Sequence, residues 1–344
     1  MYSKLTWHYY YIKNNIRRYV QFRITQIIIK IGQENKLYKI RNIDKVKRIA
    51  GKKQMNIMEM NIRLADAIYS KEPFWIGRFG GMERDVIISF LEEAHGMQSN
   101  KANYINGLCN NAGFFPNDEK LAERFVQMML DVCKYMDILG AWNCGFMEDY
   151  LVHEYMKDSS ATKLTYLEPW MIYFSKYNRQ VKPWTYALKG KKVLVIHPFA
   201  ETIKSQYSSK RTKLFKGFFD SEDILPPFEL ITLKAVQTQG GEIDERFNNW
   251  FDALEWMKEE VAKIKFDVAI IGCGAYGFPL AAYVKSLGKV AIHMGGSTQL
   301  MFGIKGKRWE TTEGVRSFFN KEWVRPSEKE TIRQASNVEG GCYW

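Results

Sequence analysis

The chain has 344 residues, 46% of them hydrophobic and 26% charged, with only 9 prolines; it is long enough for a sizeable core, as one large domain or two smaller ones, and disorder of the bulk is excluded. The cysteines Cys109, Cys133, Cys144, Cys273 and Cys342 are odd in number and form no C-x-x-C pair, which excludes a disulfide frame and a structural zinc site and points to a reducing, cytoplasmic setting. The net charge of +12 is concentrated at the N-terminus, no apolar run approaches the roughly 18 residues of a membrane span, and no secretory signal is present.

Residues 1–53 hold 14 Lys and Arg against Glu34 and Asp44, so this arm carries the whole excess and the remainder is neutral. Apolar residues at 12, 16, 19, 20, 24 and 27 follow helical spacing, and Trp7 and Tyr9 to Tyr11 are interleaved with the cations. A basic amphipathic helix with aromatics suits an anionic membrane surface, which would make the protein peripheral on the inner face of the plasma membrane. Packing on the body or on another subunit of a homo-oligomer is the alternative. The body has no basic face and no nucleic-acid motif, so nucleic acid is not an expected partner.

Residues 54–344 form the body. A helix over 54–70 is followed by apolar strands at Phe74–Phe79, Met136–Trp142, Lys163–Leu167, Lys192–His197, Glu229–Val236, Phe266–Gly272 and Lys289–Met294. Helices are predicted between them near 83–95, 117–134, 147–157, 199–218, 247–264 and 276–287. Alternation of this kind, with runs such as VLVI and VAII, predicts a Rossmann-like α/β fold: a mainly parallel sheet with helices on both faces. The segment Pro183–Lys192 is a candidate linker between halves 54–185 and 190–344. The final Tyr343-Trp344 is expected to dock on the body. With 10 Trp, 19 Tyr and 21 Phe, the chain has rings to stack on sugar faces or to fill a core.

The clearest chemical signal is Gly272-Cys273-Gly274-Ala275-Tyr276-Gly277, a G-x-G-x-x-G between a strand and a helix. Such a turn lets backbone N–H groups at a helix start approach a phosphate. A dinucleotide site would next place an acid about 20 residues on, and the region Lys289 to Gly296 has none. A nucleotide diphosphate is therefore the better ligand than a nicotinamide cofactor. Gly295, Gly296 and Gln299, then Lys305, Lys307 and Arg308, could close over the diphosphate and offset charge on a departing nucleotide. Arg78 ends a strand and Glu83 opens the following helix, as a metal ligand or general base. At a further strand end His197 and Glu201 are candidates for the acceptor site or the base, and Glu168 is a weaker one. No serine-hydrolase order and no H-E-x-x-H pattern occurs.

Together these segments resemble the GT-D-type glycosyltransferases, which are encoded mainly with bacterial surface-polysaccharide and glycoprotein-glycan genes. The resemblance rests on Arg78 to Glu83, on His197-Pro198-Phe199 with Gln206-Tyr207, on Gly272 to Gly277, on Gly295-Gly296 with Phe302 to Trp309, and on the Gly340-Gly341-Cys342-Tyr343-Trp344 end. It covers roughly residues 70–344 and implies transfer of a sugar from a nucleotide-diphosphate donor to a glycan or lipid-linked oligosaccharide acceptor. It also implies Mn2+ or Mg2+ on an Asp-x-Glu element. Here that element reads Gly81-Met82-Glu83, with Glu83 alone matching and Asp85 two residues on. An NAD-binding oxidoreductase or epimerase, and a non-catalytic envelope-assembly module, are the rival readings.

Overall fold

The computed structural model describes residues 4–30, 48–141, 147–156, 163–166, 182–217 and 224–344. The expected element ends at Trp142, Leu167, 157 and 218, Glu168, Cys144 and arm residues 31–47 lie outside the described residues, as do the side chains at 24 and 27.

One sheet organises the chain. Its strands are β1 (Arg48–Ile49), β2 (Lys52–Met55), β3 (Phe74–Gly77), β4 (Ile138–Ala141), β5 (Lys163–Tyr166), β6 (Lys192–His197), β7 (Glu229–Lys234), β8 (Val268–Ile271) and β9 (Val290–His293). They lie in the order β1-β2-β5-β4-β3-β9-β8-β6-β7. Only the β1–β2 edge hairpin is antiparallel; β2 to β9 run parallel. The apolar runs explain this. Val193, Val195, Val268, Ile270, Val290 and Ile292 enter one core, while Leu194, Ile196, Ala269, Ile271 and Ala291 enter the other, so each strand is covered on both faces.

The first of these cores is closed by α2 (Ile57–Ser70) and α7 (Ala200–Leu214). The second is closed by α3 (Gly81–Ala94), α4 (Lys101–Ala112), α5 (Glu119–Cys133), α6 (Glu148–Tyr155), α8 (Trp250–Ala262) and α9 (Gly277–Ser286). Local chemistry fixes the helix starts. Asn56 accepts from the Glu59 N–H at 2.9 Å while Glu59 accepts from the Asn56 N–H at 2.8 Å, a reciprocal cap on α2. Asp118 and Asn249 cap α5 and α8 one way only, their side-chain oxygens accepting from backbone N–H groups of the first turn.

Two expectations about organisation change. The boundary at residue 53 falls inside β2. The segment Pro183–Lys192 is not an exposed linker: Trp184–Leu188 is a 3-10 turn whose Trp184, Ala187 and Leu188 are buried. The Trp184 N–H donates to Asn61 Oδ1 at 2.7 Å. Halves 54–185 and 190–344 share one sheet through the β3–β9 pairing.

The arm begins as α1 (Lys4–Lys30). Trp7, Tyr10 and Asn14 are buried against the body. The Trp7 ring stacks on His95 with centroids 4.4 Å apart and meets the edge of Tyr150. Lys13 pairs with Asp149 at 2.6 Å. Of the stripe predicted from spacing, residues 12, 16, 19 and 20 face outward. No described helix is long and apolar enough to cross a membrane.

Candidate active site

In a parallel sheet the strand tips and helix N-termini meet at one edge, and that edge is where ligands bind. Here five tips, those of β3, β6, β7, β8 and β9, surround a cavity of about 360 Å3. The rest of its wall includes Asn111 and Ala112 of α4, Arg308 on α10 (Lys307–Glu310), and the tail residues Glu339, Tyr343 and Trp344.

Glu83 sits in the first turn of α3, nine-tenths buried, with its carboxylate folded back over Gly80. Burial raises its pKa; its own backbone N–H, Arg78 and Arg84 pull the other way. The Arg78 guanidinium lies over Gly295, where a Cβ would stand 2.7 Å from Nη2. Gly296 faces the Tyr343 ring. Arg308 pairs with Glu339 and stacks over Tyr343, 4.9 Å from the ring centroid. Burial also raises the Tyr343 phenol, against the pull of Arg308 and Arg78.

Two buried imidazoles end β6 and β9. His197 Nδ1 accepts from the Phe199 N–H at 3.0 Å, so the neutral ring carries its proton on Nε2. His293 packs on Gly277, and its ring meets the Arg78 backbone. Burial lowers both pKa values to about 3; at His293 the Arg78 charge adds to the effect and a hydrogen bond with the Arg78 backbone opposes it. Gln299 Oε1 and Gln237 Nε2, also on the cavity wall, have no hydrogen-bond partner. Gln299 is held in place by its amide nitrogen, which donates to the Tyr343 carbonyl at 3.0 Å.

The glycine-rich turn has an unexpected cause. A Cβ on Gly272 would lie 2.5 Å from the Gly295 carbonyl and from Thr298 Oγ1, and one on Gly274 (φ +56°) 2.5 Å from the Ala112 carbonyl. Gly277 accommodates the His293 ring. All three glycines are thus required by protein packing. Gly272 and Gly274 still line the cavity, as do Gly295, Gly296, Gln299, Arg78, Glu83 and Arg308.

Five expected site residues do not line the cavity, Gly277 among them because the His293 ring covers it. Tyr276 is in the core, stacked on Trp250 at 5.0 Å. Lys305 is absent from the cavity wall, and its backbone N–H donates to the Val324 carbonyl at 2.7 Å. Lys307 is exposed, with Nζ donating to the Gly340 carbonyl at 3.1 Å. Glu201 is exposed at the start of α7, where its N–H donates to Glu330 at 2.8 Å. What the sequence reading passed over is His293, Glu339, Asn111 and the glutamines at 237 and 239. The available signal for His293 was its place at a strand tip, the same as that of His197.

The donor set does not fit a resident divalent ion. Among the described residues no three His, Cys, Asp or Glu side chains cluster to hold one. Glu83 faces a guanidinium, Gly81 offers no ligand, and Asp85 is engaged by Arg84 at 3.1 Å. The cations at the cavity are arginines.

No protein-family model matches the sequence, and no curated protein matches it. Two solved structures align with it, each 13% identical over 81% of this chain and 96% of the other. One is titled as a selenomethionine-substituted structure of domain of unknown function 1792, with a TM-score of 0.40. The other, with a TM-score of 0.39, is titled as that same domain having a distinct glycosyltransferase fold.

Glycine substitutions will separate packing from ligand space. Gly274→Ala loses roughly 1–3 kcal/mol of stability in urea unfolding, because the added methyl meets backbone at a positive φ. At Gly81 a Cβ meets nothing within 4 Å, so Gly81→Asp should unfold in urea at or slightly above the parent's midpoint, an acid in the first turn of α3 being favoured by the helix dipole.

The imidazoles also predict an acid limb. Their native pKa of about 3 is below the ordinary 6.5, so the unfolded chain binds more protons between those values and stability falls as pH drops through that window. Glu83, with its pKa raised above 4.5, acts in the opposite sense. Urea unfolding of His293→Gln from pH 6.5 to 4 should show a shallower acid limb than the parent, by up to about 1.4 kcal/mol per pH unit.

Proposed function

We propose that the protein is a glycosyltransferase that moves a sugar from a nucleotide-diphosphate donor to a hydroxyl acceptor, and that arginines take the place of a metal ion at the leaving diphosphate. The observation that carries this reading is the joining of two guanidiniums, Arg78 and Arg308, with one buried carboxylate, Glu83, at the strand-tip edge of a parallel sheet. Fixed cations stabilise charge that develops as a phosphate-bound leaving group departs. In the transfer, the bond from the anomeric carbon to the diphosphate oxygen breaks and its electron pair stays with the diphosphate. The acceptor oxygen bonds to that carbon, and its proton passes to Glu83. A carboxylate with a raised pKa suits that role.

The neutral imidazoles and the amides of Gln237 and Gln299 supply hydrogen-bonding atoms suited to sugar hydroxyls, and Phe199, Tyr343 and Trp344 supply faces for stacking. Nicotinamide chemistry is less well served, since β9 ends at His293 and runs on into Met294-Gly295 where a ribose-binding acid would stand. The resemblance in sequence supports a growing surface polysaccharide or glycoprotein glycan as acceptor.

A thermal-shift panel with UDP-, GDP-, dTDP- and CMP-sugars tests the reading. One donor should raise the melting temperature equally in Mn2+ and in a chelator. Glu83→Gln should keep that shift yet lower transfer by at least about 100-fold. Arg308→Ala should lose most of the shift. Binding without turnover in the parent would identify a sugar-nucleotide binding module instead. No shift with any donor would reject the reading.

A further inference from the structure

Helix α1 has apolar residues on two opposite sides, and the body uses only one of them. Trp7, Tyr10 and Asn14 face inward. Leu5, Tyr9, Ile12, Ile16 and Tyr19 face outward, each 57–79% exposed. Their alternating spacing of four and three residues makes them one continuous stripe along the helix. The two sides lie about half a turn apart, so the sequence pattern shows neither as a clean amphipathic face.

Charge decides what covers the outer stripe. The helix contains Lys4, Lys13, Arg17, Arg18, Arg23 and Lys30 and no acidic residue. Pairing with the same helix of a second copy would bring two sets of like charges together, which opposes association. An anionic bilayer takes both features at once. Apolar side chains sink to the boundary between headgroups and acyl chains, tyrosines sit at the interface, and cations meet lipid phosphates.

The direction of the helix matters as well. Trp7 touches His95, which follows the end of α3 remote from the cavity. Asn14 donates to Met147 Sδ, just before the start of α6, on the side where the strand tips lie. The helix therefore climbs the body toward the cavity edge and continues from Asn14 to Lys30, about 24 Å further.

We propose that α1 lies on an anionic lipid surface through Leu5, Tyr9, Ile12, Ile16 and Tyr19, so that the bilayer runs along the body and past the mouth of the cavity. This assignment stands on the helix alone and does not depend on what the cavity transfers. An acceptor carried in the lipid would diffuse past the mouth without leaving the membrane.

Co-sedimentation of the full chain with vesicles tests it. The chain should bind vesicles of phosphatidylcholine mixed with phosphatidylglycerol. Each Lys or Arg that nears the lipid should contribute about fivefold to the affinity. Binding should fall by at least about tenfold on phosphatidylcholine alone, and should weaken as salt rises. The double variant Ile12→Glu with Ile16→Glu should lose at least about tenfold on anionic vesicles while its melting temperature stays that of the parent, because both positions are exposed. Undiminished binding by the double variant, or no vesicle binding by the parent, overturns the assignment. So does a dimer seen by light scattering that the double variant dissolves, which would give the stripe to a second copy.

Discussion

The guanidinium of Arg78 is the charge around which the cavity is arranged. It lies against the Gly295 backbone, a position that only a residue without Cβ leaves open. From there its charge works against the rise that burial imposes on Glu83 and on Tyr343, and adds to the fall that burial imposes on His293. One fixed positive charge thus bears on three titratable neighbours from three parts of the chain, each shifted chiefly by burial. The placement of Arg78 in turn depends on the sheet. It follows the end of β3, and β3 is the strand that joins the two groups of parallel strands by pairing with β9.

The glycines near the cavity follow from the same crowding. Five strand tips and their returning helices converge on a small volume, and backbone has to pass close to backbone. Gly272 yields to the turn after β9, Gly274 to the end of α4, and Gly277 to His293. A motif associated with phosphate binding can arise from such convergence, because close approach is what the residue type permits, whether the neighbour is a ligand or another loop. Gly81 differs: it opens onto free space beside Glu83.

Much of this was legible in the residues. Apolar runs such as Val193 to Ile196 and Val268 to Ile271 marked strands buried on both faces, and their alternation with helices indicated a parallel sheet, hence the edge at which Arg78, Glu83 and Gly272 would meet. Helix α4 was missed because Asn103, Asn106, Gly107, Asn110 and Asn111 are weak helix formers, and it is packing on α3 that keeps it helical. Tyr276 looked like part of a ligand turn, but its ring fills the core against Trp250. Lys305, Lys307 and Arg308 looked equivalent as a cationic loop. Helical periodicity over a single short turn could not show that Arg308 alone would face the cavity. The contribution of Glu339 and Tyr343 came from residues over 200 positions distant from Glu83, a proximity that no local pattern encodes.

The docked segment at residues 343 and 344 has a consequence for assembly. Tyr343 and Trp344 form one wall of the chamber and clamp Gln299 and Lys307 through backbone contacts. A polypeptide without these two residues retains every strand of the sheet but has a chamber open on one side. The scaffold and the enclosure are therefore separable, and damage to the second need leave no mark on the first.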